Sequence, residues 1–593
     1  MSEEHVYYDR TIKEYDLPVP MRDGEVLRVD VYRPAAPGRF PVLYSCAMHN
    51  KDLQRVEVAE NLGVGQPAWS TQWYGVMEAG DSKRFVANGY VHVIGQVRGG
   101  HKSEGLPSVG DEWDHYDTIE WITQQPWSDG NVGMVGLSAY AAEQWRAAAQ
   151  AHPALKAIFP LDAGGCYGGL EGFRDQHPGG VIQTMPYHIG LFNSLHTQVG
   201  TPPELPPEIE AAWQAAMQNP DYLMYVNLYN ILTLRGQRDP GMFYPLLFPF
   251  ERPGTIERTE EMLGKITIPF VTGAFEGAYT YKMHWQGAQH FFYGIDVPHK
   301  HLFVTPPAHA ERPFHQWHDE IIRWYDHWLK GIDNGVEDDP AVKVWIMGEN
   351  KWRTFDGRPV PETTWTKYYL HSWEKLSTEG HLPAAHTFVN EPPDAFVQMP
   401  PTQTNKIERL RYLTEPLAED TLVVGPLSLT FWASLDQEDT NWIIILKDVG
   451  PDVSVQSVRP GEREVPRDLP ERELTRGWLK ASRRALDPER SKPWKPWPYL
   501  SPETIQPVVP GEVDEYRVEI LSTANLFRQG HRICLEITSL DLSEGVAGET
   551  YAEYVPYHVC SSKTVLHKVF HDARYPSHLL VPVIPHHRCR DAD

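Results

Sequence analysis

The sequence predicts an α/β core built on a parallel sheet, interrupted by a helical cap and followed by an all-β jelly-roll domain. Three observations carry this reading. Short apolar runs rich in β-branched residues alternate with helical stretches as far as Cys166. Residues 167–263 lose that alternation, gain Gly and Pro, and place apolar residues at helical spacing. Beyond Trp352, short strands follow one another across Pro, Gly and Asp turns with no helical pattern between them. A chain of 593 residues is too long for one core. The expected division is 1–166 for the first part of the core, 167–263 for the cap, 264–352 for the second part of the core and 353–593 for the jelly roll.

The elements follow in order. Residues 24–35 alternate and end in Tyr32-Arg33-Pro34, an early strand with a turn. Phe40 to Cys46 and Tyr90 to Ile94 read as buried parallel strands, because their apolar runs are short and continuous. Glu112 to Gln124 is a helix, and Val132 to Val135 the next strand. In the cap, Ile209, Trp213 and Met217, then Leu223, Leu228 and Leu232, mark helical faces. The sheet resumes at Ile268–Thr272 and His301–Thr305, and a helix over Glu320–Lys330 closes it. "TLVVGPLSLTFWASL" and "NWIIILKDV" are among the jelly-roll strands, and "SKPWKPWPYLSP" (491–502) is a surface loop packed on its tryptophans.

Composition narrows the function. A formal net charge of −25 argues against nucleic acid or an anionic membrane as partner, since a phosphate-binding face needs positive charge. Five cysteines without a C-x-x-C pattern give neither a disulfide framework nor a structural zinc site. No signal peptide and no membrane-length apolar run are visible. The expectation is a cytoplasmic protein with a small-molecule substrate, no cofactor and no metal, and a homodimer is left open. The terminal "HHRCRDAD" reads as a frayed end. In "GQVRGGHKS" (95–103), His101 interrupts the Gly-Lys-Ser of a phosphate-binding loop.

The stretch "GNVGMVGLSAYAAEQWRAAAQ" (130–150) carries the chemistry. An apolar strand turns at Gly136-Leu137-Ser138 and runs into an Ala-rich helix, which is how a hydrolase exposes a nucleophilic serine. Gly136 lets the strand end pack closely, and Ala139 and Ala141 let the helix approach. The backbone N–H of Ala139 would point to where an oxyanion forms. Two later strands are each followed by a candidate partner: Glu276 after Ile268–Thr272, and His309 after His301–Thr305. Serine, acid, histidine is the chain order of nucleophile-elbow hydrolases. His309 is the expected base for Ser138, and Glu276 the carboxylate that fixes its tautomer. In a chain with 27 histidines no single residue carries this; the order after three strands does.

At these residues the chain resembles the cocaine esterase and X-prolyl dipeptidyl peptidase family of α/β-hydrolases, serine hydrolases with a C-terminal jelly roll. The resemblance runs from "VPMRDGEVLRVDVYRP" (19–34) through "WSDGNVGMVGLS" (127–138), "WRTFDG" (352–357) and "LSTANLFRQGHRI" (521–533) to "YPSHLLVPVI" (575–584). It implies an α/β-hydrolase core, a helical cap and a jelly roll. The family pattern G-x-S-Y-x-G has no glycine two residues after the serine, so Tyr140 there is no objection. The chain departs with Ala139 for the family's Tyr, Ala141 for its Gly and Glu276 for its Asp. His49 of "HNK" (49–51) stands where the family places a tyrosine hydroxyl as second oxyanion donor. Gln96-Val97-Arg98-Gly99 replaces D-x-R-G, and Arg98 is expected to bond loop carbonyls. The implied oxyanion hole is the Ala139 N–H with His49.

Tyr140, Tyr167 and Phe275 are expected to face the substrate. The cap aromatics Phe173, Tyr187, Phe192, Trp213, Tyr222, Tyr225 and Tyr229 would suit a bulky apolar or aromatic molecule, although any one of them taken singly reads more readily as a core residue of the cap. Gly277-Ala278-Tyr279-Thr280 is uncharged where relatives that take a free α-amino group are expected to carry carboxylates. The expected activity is hydrolysis of an ester or lactone through an acyl-enzyme. An amidase or peptidase of the same family, or a catalytically inactive binding protein, are the alternatives.

Overall fold

Unbroken apolar runs make strands that are buried on both faces, and two such strands, Phe40–Ala47 and Val91–Gln96, are buried at every position. They lie in a computed structural model that describes residues 8–55, 78–105, 111–164, 173–184, 205–233, 240–275, 282–305, 317–381, 391–404, 406–450, 470–540, 558–585 and 590–591. The chain forms two units. The first is Met1–Cys166 with Ile256–Phe275 and Met283–Val342; the second is Tyr167–Thr255 with Glu276–Lys282 and Lys343–Asp593.

The sheet of the first unit contains β1 (Thr11–Pro20), β2 (Val26–Pro34), β3 (Phe40–Ala47), β4 (Val91–Gln96), β5 (Ser128–Leu137), β6 (Leu155–Leu161), β7 (Phe270–Phe275) and β8 (Lys300–Thr305), in the order β1-β2-β4-β3-β5-β6-β7-β8. β1, β2 and β4 pair antiparallel, and the run from β4 to β8 is parallel. Helices α1 (Ser82–Ala87), α2 (Asp114–Thr123) and α3 (Ala139–Ala149) connect its first half. β5 begins earlier than its apolar run, because the polar Ser128 still pairs with Phe40.

Within 167–263, the expected cap is helical: α4 (Pro207–Ala216), α5 (Pro220–Leu223), α6 (Val226–Thr233), α7 (Pro240–Leu247) and α8 (Thr255–Gly264). Nearly all of α8 falls in the first unit and the other four in the second. Two further helices, α9 (Lys282–Gly294) and α10 (His318–Lys330), follow β7 and β8. Four of the cap aromatics are core residues, while Tyr187 and Phe192 lie outside the described residues. Phe173, Trp213, Tyr222 and Tyr225 are buried in one cluster with Leu500, Leu540 and Val559. Their polar atoms are satisfied there, with Trp213 Nε1 donating to Leu232 O at 2.7 Å and the Tyr225 hydroxyl to His558 O at 2.9 Å. Tyr229 is exposed.

After α10 come β9 (Val342–Ile346) and β10 (Lys351–Phe355), which lie outside the jelly-roll sheet; the jelly roll comprises β11 (Thr364–His371), β12 (Lys375–Ser377), β13 (Asp394–Gln398), β14 (Arg409–Leu413), β15 (Thr421–Leu435), β16 (Asn441–Val449), β17 (Glu471–Lys480), β18 (Asp514–Phe527), β19 (Arg532–Thr538), β20 (Val565–Phe570) and β21 (His578–Ile584). Its main sheet runs β13-β20-β15-β18-β17-β16-β19-β14-β12-β11-β21, and β21 pairs again with β15, so the sheet curls into a closed ring. In the Pro/Trp loop, Trp494 stacks on Trp365 with centroids 5.9 Å apart, and Trp497 is buried under the Arg174 guanidinium.

Candidate active site

Ser138 follows β5 directly and caps α3 with φ 53° and ψ −114°, a backbone conformation an L-residue adopts only at a cost of about 1–3 kcal/mol. Strain of this kind is expected of a serine held out on a strand-to-helix turn. The turn closes because Gly136 has φ 142° and no side chain. A Cβ there would lie 2.3 Å from Tyr140 Cβ and 3.3 Å from Glu78 O. The close approach therefore requires the glycine at 136, and it coexists with a large residue, Tyr140, at the second position after the serine. Gln144 on α3 pins the turn, donating to Gly136 O at 3.2 Å while accepting from Phe159 N at 2.9 Å. Ala139 is the first residue of α3, and an N–H at that position has no intrahelical acceptor.

Tyr140 lies in the core rather than on a pocket wall. It is fully buried with Tyr32, Ala47, Ala79, Val86 and Ile94, and its hydroxyl has no hydrogen-bond partner among the described residues. Burial, with the Glu78 carboxylate adding to it, holds that phenol well above the ordinary tyrosine range.

The imidazole found at Ser138 is one the sequence reading passed over. Ser138 Oγ is 3.4 Å from Nε2 of His284, in the first turn of α9. The position of α9 is set by a stacked pair, Trp145 of α3 on Phe291 of α9, with ring centroids 3.9 Å apart and planes at 12°. His309, Glu276 and Tyr167 lie outside the described residues, and the side chain of Phe275 is likewise not described. The register brings the described strand ends to one edge. Leu137 pairs with Leu161, Leu161 with Gly273, and Phe275 with Thr305, so the C-terminal ends of β5, β7 and β8 line the same margin of the sheet.

His49 follows β3 at that margin and is buried, with its Nε2 3.4 Å from Oε2 of Glu78. Glu78, also missed in the sequence, contacts the turn with its backbone: its carbonyl accepts from Leu137 N at 2.9 Å. Gln96 holds the His49 loop. Its Nε2 donates to Ala47 O at 3.0 Å and to Met48 O at 3.1 Å, and its Oε1 accepts from Lys51 N at 3.0 Å. Lys51 is buried against Asp16, Asp30 at 2.7 Å and Asp52 at 3.1 Å. Burial acts to raise the Asp16 carboxyl, but hydrogen bonds from Lys102 and Lys51, with the charges of Lys51 and Arg55, hold it far below the usual range. Arg98 is structural, but its partners are carboxylates rather than loop carbonyls: it donates to Asp114 at 2.6 and 2.9 Å and pairs with Asp23 at 2.7 Å.

The arrangement offers a half-buried hydroxyl on a strained turn, an imidazole beside it, and helix N–H groups at the turn. That set can activate an oxygen nucleophile and receive an oxyanion. Comparison with known proteins agrees. Residues 23–223 match the X-Pro dipeptidyl-peptidase (S15 family), and residues 334–580 match the X-Pro dipeptidyl-peptidase C-terminal non-catalytic domain. Cocaine esterase of a Rhodococcus species is 26% identical, over 95% of this chain and 97% of its own length. A Bacillus anthracis protein assigned as an Xaa-Pro dipeptidyl-peptidase is 24% identical, over 88% of this chain and 81% of its own length. A CocE/NonD family hydrolase of Staphylococcus aureus superposes with a TM-score of 0.69 at 22% identity, covering 97% of this chain and 94% of that one. An α-amino acid ester hydrolase gives 0.67 at 18% identity, covering 98% of each chain. With an α/β core, a C-terminal β domain and both matched regions in the family's order, the chain belongs to the cocaine esterase and X-prolyl dipeptidyl peptidase family of α/β-hydrolases, a serine hydrolase family.

Proposed function

We propose that the protein hydrolyses a carboxylic ester or lactone of a bulky apolar small molecule, with Ser138 as nucleophile. The observation that carries this is the strained Ser138 turn with an imidazole nitrogen 3.4 Å from its hydroxyl. Ser138 Oγ attacks the carbonyl carbon as a histidine takes its proton, and the oxyanion is received by the Ala139 N–H and His49. The tetrahedral adduct collapses, the C–O bond to the leaving group breaks, and the histidine returns the proton to the departing alcohol. Water then repeats the sequence on the acyl-enzyme and releases the acid.

His309, oriented by Glu276, is the base by chain order; His284 is the second reading, favoured by its contact with Ser138. An ester is preferred to a peptide because the stretch after Glu276 carries no carboxylate to hold an α-ammonium group, and because cocaine esterase is among the relatives. The test is intact mass after exposure to a fluorophosphonate, followed by a panel of aromatic esters, lactones and Xaa-Pro peptides. A single adduct, absent in Ser138→Ala, is expected, with ester turnover falling by on the order of 10⁴–10⁶ in that variant. Labelling retained in Ser138→Ala overturns the assignment. His284→Ala and His309→Ala then separate the two bases, since the variant lacking the base loses labelling and the other keeps it.

A further inference from the structure

We propose that His371, His381 and Glu391 form a binding site for a divalent transition-metal ion of the zinc class in the jelly roll. His371 is the last residue of β11, His381 lies beyond β12, and Glu391 precedes β13. One ligand atom from each lies within 4.8 Å of the others, and the two imidazole rings are 4.4 Å apart between centroids. An ion bound at about 2.0–2.1 Å to each ligand spaces tetrahedral donors roughly 3.3 Å apart, so side-chain rotations of little more than an ångström seat it.

The surroundings already orient the donors. His371 Nε2 donates to the carbonyl of Glu379 at 3.0 Å, which commits its proton and leaves the Nδ1 lone pair for an ion. That is the outer bond metal-ligating histidines ordinarily make. His381 Nε2 is buried with no hydrogen-bond partner among the described residues. Glu391 Oε2 is occupied, accepting from Ser372 Oγ at 3.1 Å and lying 3.2 Å from Nδ1 of the buried His571, so the carboxylate is held in place by one oxygen. His571 is fixed in turn by Asp394, 2.9 Å from its Nε2.

The three donors line a pocket of about 730 Å³, shared with Glu379 and Asp572. Two imidazoles and one carboxylate favour zinc, cobalt or nickel over calcium or magnesium, which take oxygen ligands. Three protein ligands leave a coordination position for water or a small anion from the pocket.

The test uses the full chain stripped with a chelator, titrated with Zn²⁺ by calorimetry and with Co²⁺ by visible absorption. One equivalent of Zn²⁺ per chain is expected, with a Co²⁺ absorption band in the visible. His381→Ala and Glu391→Gln should each weaken Zn²⁺ binding at least roughly tenfold, with circular dichroism and the metal-free Tm unchanged. Three results overturn the proposal. One is a titration with no saturable site below about 100 μM. Another is full-strength binding in the His371→Ala/His381→Ala variant. The third is binding lost only when His586 and His587 of the C-terminal run are replaced.

Discussion

Replacing each of two glycines of β5 by alanine separates backbone strain from collision at the nucleophile turn. Gly130 and Gly136 both have positive φ, 91° and 142°. A Cβ on Gly130 meets nothing within 4 Å, whereas one on Gly136 falls 2.3 Å from Tyr140 Cβ. The conformational cost of an L-residue is about 1–2 kcal/mol at either position. At Gly136 the new methyl sits more than an ångström inside the usual 3.5–4.0 Å carbon separation. Both atoms in collision are tied to backbone, so relief means moving the strand end or α3, at about 1–3 kcal/mol more. Gly130→Ala should therefore cost about 1–2 kcal/mol and Gly136→Ala about 2–5 kcal/mol. A chain of two units need not unfold in one step, so hydrogen exchange of the β5 peptides, read with fluorophosphonate labelling rate, is the suitable assay. Gly136→Ala should slow labelling of Ser138, and Gly130→Ala should not. Equal costs for the two, or wild-type labelling in Gly136→Ala, would refute the claim that the close approach requires a glycine at 136.

Two further substitutions probe the packing beneath the turn. Tyr140→Phe removes a buried hydroxyl that has no hydrogen-bond partner among the described residues, so stability should hold or rise by up to about 1 kcal/mol. A thermal midpoint that falls sharply would show that the hydroxyl is bonded after all. Gln96→Glu sets a carboxylate oxygen against the carbonyls of Ala47 and Met48 in place of two donated hydrogen bonds. It should cost about 2–4 kcal/mol, and a midpoint equal to wild type would mean the loop is held by Lys51 alone.

The nucleophile turn was readable because its requirements are local. A small residue, an exposed hydroxyl and a helix-forming run within a few positions are enough to specify it. The positions of the buried strands followed from apolar runs for the same reason. His284 was not readable: it reaches Ser138 because Trp145 and Phe291 stack two helices that lie far apart in sequence. Glu78 was missed for a similar cause, since its link to His49 crosses between loops. Arg98 drew a mistaken partner because the family's nearby carboxylate is absent, while Asp23 and Asp114 arrive from other elements to neutralise it. Aromatic spacing in the cap could not distinguish a pocket wall from a core, and Trp213 and Tyr225 proved to be core. Tyr140 misled in the same way: adjacency to the serine in sequence says nothing about which side of the turn its ring takes.

The proposed exchange of the family's oxyanion tyrosine for His49 carries the sharpest consequence for mechanism. A phenol presents one proton, and keeps it to about pH 10. His49 has two ring nitrogens, and Nε2 lies 3.4 Å from the Glu78 carboxylate. With Nε2 turned toward Glu78, an oxyanion is served only from Nδ1, so the Glu78 contact decides how the ring can donate. His49→Phe, which keeps the ring's bulk and removes both nitrogens, should lower ester turnover by on the order of 10–100-fold. His49→Tyr, which restores a hydroxyl donor, should recover part of that loss. Glu78→Gln should lower turnover when His49 is present and change nothing further in His49→Phe. Turnover indifferent to His49→Phe would remove His49 from the oxyanion hole and leave the Ala139 N–H without a side-chain partner there.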